Sequence, residues 1–221
     1  MEELQKELAL LRTFMTEGKL EAIDRVLPNR TRHLTVVLED ICQMQNASAV
    51  IRSCDCFGVQ DLHVIENKNR FNISKEIVRG SSKWVDIYRY RKEESNTLQC
   101  LETLKKDGYK IVVTSPHQDD FPIEKLPLDQ KVALVIGSEG FGISDEVVEH
   151  ADYFTRVPMF GFTESLNLSV TAAICIQQLT SRLHASEIDW KLSAKENLEL
   201  NIKWFKQILQ SHTIYDTQYD R

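Results

Sequence analysis

Glycine and proline are scarce in this chain, eight and five among 221 residues, which excludes a collagen-like, linker-rich or low-complexity polypeptide. The five cysteines (42, 54, 56, 100 and 175) are too few, and odd in number, for a disulfide framework, and they point to a reducing compartment. No apolar run reaches the roughly 18 residues of a membrane span. The opening Met-Glu-Glu-Leu-Gln-Lys-Glu is too acidic and polar for an export signal, so a cytoplasmic location is expected. No Gly-Lys-Ser/Thr occurs, which removes a P-loop. The six histidines (33, 63, 117, 150, 184 and 212) are scattered, and Cys54 and Cys56 diverge on a helix, so no metal is expected. Internal repeats are missing too.

What remains is an ordinary globular composition. Hydrophobic residues make up 42%, enough for one core, and 27 Lys+Arg against 33 Asp+Glu give a net charge of −6. That balance argues against coating nucleic acid by bulk charge, but the charge is uneven. Residues 25–33 hold Arg25, Arg30 and Arg32 and no acid. Residues 68–92 hold eight bases against Glu76 and Asp86, whereas 117–152 hold nine acids against Lys125 and Lys131. Two basic segments in one half of an acidic chain raise the prospect of a polyanion-binding side.

Periodicity gives the architecture. Leu4, Leu8 and Leu11 lie at helical spacing until Gly18 interrupts, and Leu20, Ile23 and Leu27 continue to Pro28. Strands are expected at 34–38, 61–66, 84–90, 110–114, 132–136 and 154–157, and helices at 46–57, 98–106, 145–150 and 165–183. Apolar strands alternating with helices, without hairpin turns, indicate an α/β domain with a largely parallel sheet and helices on both faces. Ser193-Ala-Lys-Glu196 has capping-box form, and Leu198, Ile202, Phe205 and Leu209 follow on one apolar helical face, widened by Trp204 and Ile208.

Three segments carry the chemistry. Four of the eight glycines lie within 137–161, and Gly137-Ser-Glu139-Gly-Phe-Gly142 leaves an apolar strand for a helix capped by Ser144. It reads G-x-x-G-x-G, so it is no dinucleotide fingerprint, and taken alone it equally suits a plain strand–helix connection. A second strand runs through Pro158 and Gly161 to Ser165 and Asn167, in the expected first turn of the last domain helix. The third segment is Asn46-x-Ser48-Ala49-x-x-Arg52, with Asn46 as the expected N-cap.

In combination and order these segments resemble the three motifs of the SpoU/TrmH branch of the SPOUT RNA 2′-O-methyltransferases, most of all its members that act on guanosine 18 of tRNA. The likeness runs from about Arg25 to Arg182 and includes Gly80-Ser-Ser-Lys83-Trp84. It implies a SPOUT domain over 33–184 with a deep trefoil knot at about 135–175, a helical basic extension over 1–32 and a helical extension over 185–221. It implies S-adenosylmethionine as methyl donor, tRNA and a second copy of the chain as partners, and neither membrane nor DNA. Arg52, Asn46, Glu139, Ser165 and Asn167 are then the catalytic set, and Thr114, Gly137, Val157 and Leu166 line the donor site. Thr114, Gly137 and Val157 each end a strand, which puts them at one edge of the sheet. Arg25, Arg30, Arg32, Lys83 and Arg182 are the expected RNA contacts, with Arg182 standing where relatives often carry a pair of arginines. Ribosomal RNA or another tRNA position, a non-catalytic RNA-binding dimer, and a small-molecule nucleotide enzyme stay open as alternatives.

Overall fold

The computed structural model describes residues 1–92, 95–115 and 121–219; His117, Asp119 and Asp120 lie outside the described residues. Contacts divide the chain into two compact units: Thr31–Trp190, and Met1–Arg30 together with Lys191–Arg221. Sequence alone treats the two ends as separate appendages, whereas here they form one unit.

The larger unit is built on a seven-stranded sheet. Its strands are β1 (Leu34–Glu39), β2 (Asp61–Ile65), β3 (Asp86–Tyr90), β4 (Tyr109–Thr114), β5 (Phe121–Pro122), β6 (Lys131–Ile136) and β7 (Tyr153–Arg156). They lie in the order β3-β2-β1-β6-β4-β7-β5, and every pairing among them is parallel. β5 is absent from the sequence reading, because two residues that include a proline leave no strand signal. β1 and β6 are central and apolar toward both faces, as strands covered on two sides must be. Leu34, Val36, Leu38, Val132, Leu134 and Ile136 pack under α3 (Met44–Cys56) and α7 (Leu168–His184). Val37, Ala133 and Val135 pack under α5 (Asn96–Lys106) and α6 (Asp145–His150). Each fully buried Val, Leu or Ile here contributes about 1.5–3 kcal/mol. A short helix, α4 (Lys75–Val78), precedes β3.

The order of strands turns at β1: β2 and β3 lie to one side, β6 and β4 to the other. Ligands of open parallel sheets bind outside the carboxyl ends near such a turning point. After β6 the chain crosses beyond β4 to β7, then returns as α7 to the face that carries α3.

The helical unit holds α1 (Glu2–Arg12), α2 (Glu17–Val26) and α8 (Ala194–Tyr219). α1 packs along α8. Its buried residues include Ile23, Leu27, Leu200, Ile202, Trp204 and Phe205. The capping box forms as the sequence requires, with Ser193 N and Oγ donating to Glu196 Oε2 and Glu196 N donating to Ser193 Oγ. Gly18 does not interrupt a helix. The break falls at Thr13–Thr16, Thr16 takes the extended N-cap conformation, and Gly18 is the second residue of α2.

Candidate active site

A cavity of about 970 Å³ opens at the carboxyl ends of β4 and β6. Thr114 borders it where β4 ends and Gly137 where β6 ends, and Ser165, Leu166 and Asn167 close it from the segment that enters α7. Val157 lines an adjoining recess of about 160 Å³ that shares Thr114, Ser165 and Leu166. All four residues expected at a donor site therefore border this pair of hollows.

Gly137 has a steric reason to be glycine. Ser138 and Gly142 exchange backbone hydrogen bonds of 2.9 and 3.0 Å, which folds the loop back on its own start. A Cβ on Gly137 would overlap the carbonyl of Gly142 and stand 2.7 Å from Ile143 N, all rigid backbone. Gly142 supplies the turn with φ at 69°.

The three motif segments meet through side chains. Glu139 Oε1 accepts from Asn46 Nδ2 at 2.8 Å, and Asn46 Oδ1 accepts from Asn167 Nδ2 at 3.2 Å. Asn167 Oδ1 in turn accepts from Ser169 N at 2.9 Å, so Asn167 is the N-cap of α7. Glu139 also accepts from the backbone N–H groups of Cys42 and Gln43 ahead of α3. Burial pushes the Glu139 carboxyl up. The hydrogen bonds from Asn46, from its own N–H, and from Cys42 and Gln43 outweigh burial and hold it below the usual glutamate value. It is a fixed anion facing the cavity.

These contacts correct two local expectations. Asn46 is not the N-cap of α3, because the helix starts at Met44 with Gln43 at the cap, and Asn46 lies in the first turn facing Glu139. Ser165 is not in α7, which starts at Leu168; Ser165 and Leu166 lie in the irregular segment before it and border the cavity.

Two residues that sequence reading passed over organise this edge. Glu39, at the end of β1 and only 3% exposed, accepts from Ser144 N (3.0 Å), Ser144 Oγ (2.6 Å) and Thr97 Oγ1 (3.2 Å). It thereby anchors the far end of the glycine loop. Asp40 beside it holds the loop after β2 through three backbone N–H groups. The one available signal was an acidic pair closing an apolar strand run.

Arg52 stands apart. It is exposed on α3, does not border the cavity of its own chain, and makes no hydrogen bond or ion pair among the described residues. Of the expected RNA contacts, Arg25 and Lys83 are exposed. The other three are held within the fold. Arg30 is 2% exposed, with its guanidinium 5.2 Å from the Trp204 ring centroid, and burial leaves it no route to a phosphate. Arg32 pairs with Asp61 and Asp86 at 3.0 and 2.9 Å, and its charge is neutralised inside the fold. Arg182 donates to the carbonyls of Ile123 and Leu126 at 2.8 and 2.6 Å, which makes it a brace for that segment. Sequence gives the charge of these arginines but not the partners, which lie 29 to 59 residues away for Arg32 and Arg182.

Known proteins share this fold and much of this sequence. The SpoU rRNA Methylase family matches residues 33–177. A tRNA (guanosine(18)-2′-O)-methyltransferase of Borreliella burgdorferi is 39% identical over 211 residues, covering 96% of this chain and 95% of its own. The enzyme of that name from Thermus thermophilus is 31% identical over 161 residues, 73% of this chain and 81% of its own. The crystal structure of an A. aeolicus TrmH/SpoU tRNA modifying enzyme superposes with a TM-score of 0.75 at 29% identity, covering 86% of this chain and 96% of that one. The match spans the sheet, the glycine loop and the Asn46 and Asn167 segments, and this chain belongs to the SpoU rRNA Methylase family.

Proposed function

We propose that this chain transfers a methyl group from S-adenosylmethionine to the ribose 2′-hydroxyl of tRNA, at guanosine 18 of the D-loop. The carrying observation is the Glu139–Asn46–Asn167 chain, which joins three distant segments at the mouth of one cavity. The B. burgdorferi relative, aligned over nearly the whole of both chains, supports the tRNA nucleotide.

The donor fits the residues present. Ile136, Ile143 and Leu168 give apolar walls, and the glycine at Gly137 lets the loop fold back tightly on its own start at the cavity edge. Main-chain groups at Thr114, Gly137, Val157 and Leu166 would hold it. When bound, it supplies a methyl group already activated on a sulfonium. The protein's task is then to orient the ribose, whose hydroxyl proton passes to solvent as the oxygen–methyl bond forms and the methyl–sulfur bond breaks. A guanidinium is a poor base and a strong hydrogen-bond donor, so Arg52 is assigned to the phosphate beside the target ribose and to the developing alkoxide. Asn46, Asn167, Ser165 and Glu139 shape and fix the pocket edge.

Arg52 lies off its own cavity, and in this reading it serves the cavity of a second copy. Exposed Met159, Phe160, Phe162, Leu166, Val170 and Ile174, gathered on α7 and the segment before it, support such a homodimer. The segment at about 135–175 is taken as a trefoil knot, 33–184 as the methyltransferase domain, and 1–32 and 185–221 as extensions that bring Arg25 to the tRNA. No helix among the described residues is long and apolar enough to cross a membrane, and the cytoplasm, where tRNA resides, is the proposed location.

Single-turnover methyl transfer with Arg52→Ala and Arg52→Lys tests the assignment. Arg52→Ala is expected to slow transfer at least 100-fold with tRNA still bound, and Arg52→Lys to restore part of it. Near-wild-type transfer by both would remove Arg52 from the mechanism.

A further inference from the structure

Between β2 and α4 runs a loop, residues 66–74, that the transfer chemistry does not use and that the fold fixes at several points. Asp40 Oδ1 accepts from three successive backbone N–H groups, those of Asn67 and Lys68 at 2.8 Å and of Asn69 at 3.2 Å. Asn69 Nδ2 donates back to Asp40 O at 3.0 Å and to Cys42 Sγ at 3.1 Å. Further along, Phe71 N donates to Glu66 Oε2 at 2.9 Å and Ser74 N to Ser48 Oγ at 2.7 Å. Asp40 takes φ of 52°, a left-handed conformation that, apart from glycine, asparagine and aspartate adopt most readily.

This pinned backbone carries two exposed cations, Lys68 and Arg70. Lys68 Nζ rests 4.9 Å from the ring centroid of Phe141, at the tip of the loop whose Gly137, Ser138 and Glu139 border the cavity. Cys42 links the two sides, since its sulfur meets Asn69 and its N–H donates to Glu139. Among the described residues neither cation has a carboxylate partner, and Glu76 is the single acid within 67–83. Lys68 and Arg70 thus stand exposed on a fixed loop that touches the glycine loop through Lys68 and Phe141. A loop ordered in advance meets a polyanion without paying to order itself on binding.

We propose that Lys68 and Arg70 contact backbone phosphates of the RNA substrate next to the nucleotide whose ribose enters the cavity, with Asp40 as the positioning residue that holds their loop. The proposal rests on the RNA 2′-O-methyltransferase reading. Phosphate contacts of this kind set register and orientation and carry a salt-dependent share of affinity.

The test measures affinity of the full chain for an unmodified tRNA transcript between 50 and 300 mM KCl, together with donor affinity by calorimetry. For Lys68→Ala/Arg70→Ala, loss of two phosphate contacts is expected to flatten the slope of log K against log salt by about 1.5, and to weaken binding about tenfold at 0.15 M salt. Donor affinity is expected to stay unchanged. Asp40→Ala is expected to weaken tRNA binding in the same direction, and Asp40→Asn, which accepts the left-handed conformation and keeps an acceptor oxygen, to restore it. An unchanged slope in the double variant, while wild type binds and methylates tRNA, overturns the inference and leaves the methyltransferase reading standing. Loss of donor affinity with the slope intact overturns it too, by giving the loop to the donor. A wild-type chain that neither binds nor methylates RNA overturns both.

Discussion

Gly137 and Gly140 share one loop and differ in what surrounds them. At Gly137 a side chain meets the backbone of Gly142 and Ile143, whereas at Gly140 nothing lies within 4 Å. Gly137→Ala is therefore expected to distort the β6 exit and reduce S-adenosylmethionine affinity at least tenfold, and Gly140→Ala to keep it within twofold. Titration calorimetry of the two variants checks this, since equal losses would mean that loop flexibility, not space, is what glycine provides. Composition showed that glycine clusters here, but only coordinates separate the glycine that has no room from the one that does.

At the level of elements, the buried carboxylate of Glu39 ties β1 to the start of α6 across 105 residues of chain. Removing it leaves Ser144 and Thr97 without their acceptor in a dry site, a loss of about 1–3 kcal/mol. Denaturation of Glu39→Ala, Ser144→Ala and the double variant is expected to give a coupling of about 1 kcal/mol or more. Strict additivity would show that the two groups act independently. This contact also marks where sequence stops being informative. Strands β1, β2, β4 and β6 are legible because buried parallel strands need uninterrupted apolar runs, and Ser144 is legible as a cap because its partner, Val147 N, is three residues away. Asn46 is not legible as anything but a cap because its partner is Glu139, 93 residues on, and the start of α7 is not legible because Ser165 serves the cavity rather than the helix. The motif residues were visible as types, while the hydrogen bonds that make them a site were not.

For the molecule as a whole, pH and charge give two readouts. Burial between Tyr88 and Tyr90 lowers the pKa of His63 from 6.5 to about 4. The unfolded chain then binds a proton that the folded chain refuses. Stability is fully present above pH 6.5 and falls as pH drops toward 4, by up to about 3 kcal/mol from this group. Urea unfolding of wild type and His63→Gln between pH 7 and 5 is expected to show a shallower pH dependence in the variant; parallel curves would assign the loss to other groups. The net charge of −6 is an average over regions of opposite sign, with 68–92 basic and 117–152 acidic. An acidic protein that binds RNA is consistent with that separation, because phosphate contact depends on local cations rather than on the total.

Methylation at a single ribose is read out most directly by nucleoside mapping. An unmodified tRNA transcript is incubated with the purified full chain and methyl-labelled S-adenosylmethionine, then digested and mapped. Label confined to the 2′-oxygen of guanosine 18 is the predicted result. Label at another position of the tRNA, or no transfer while the donor binds, would contradict it.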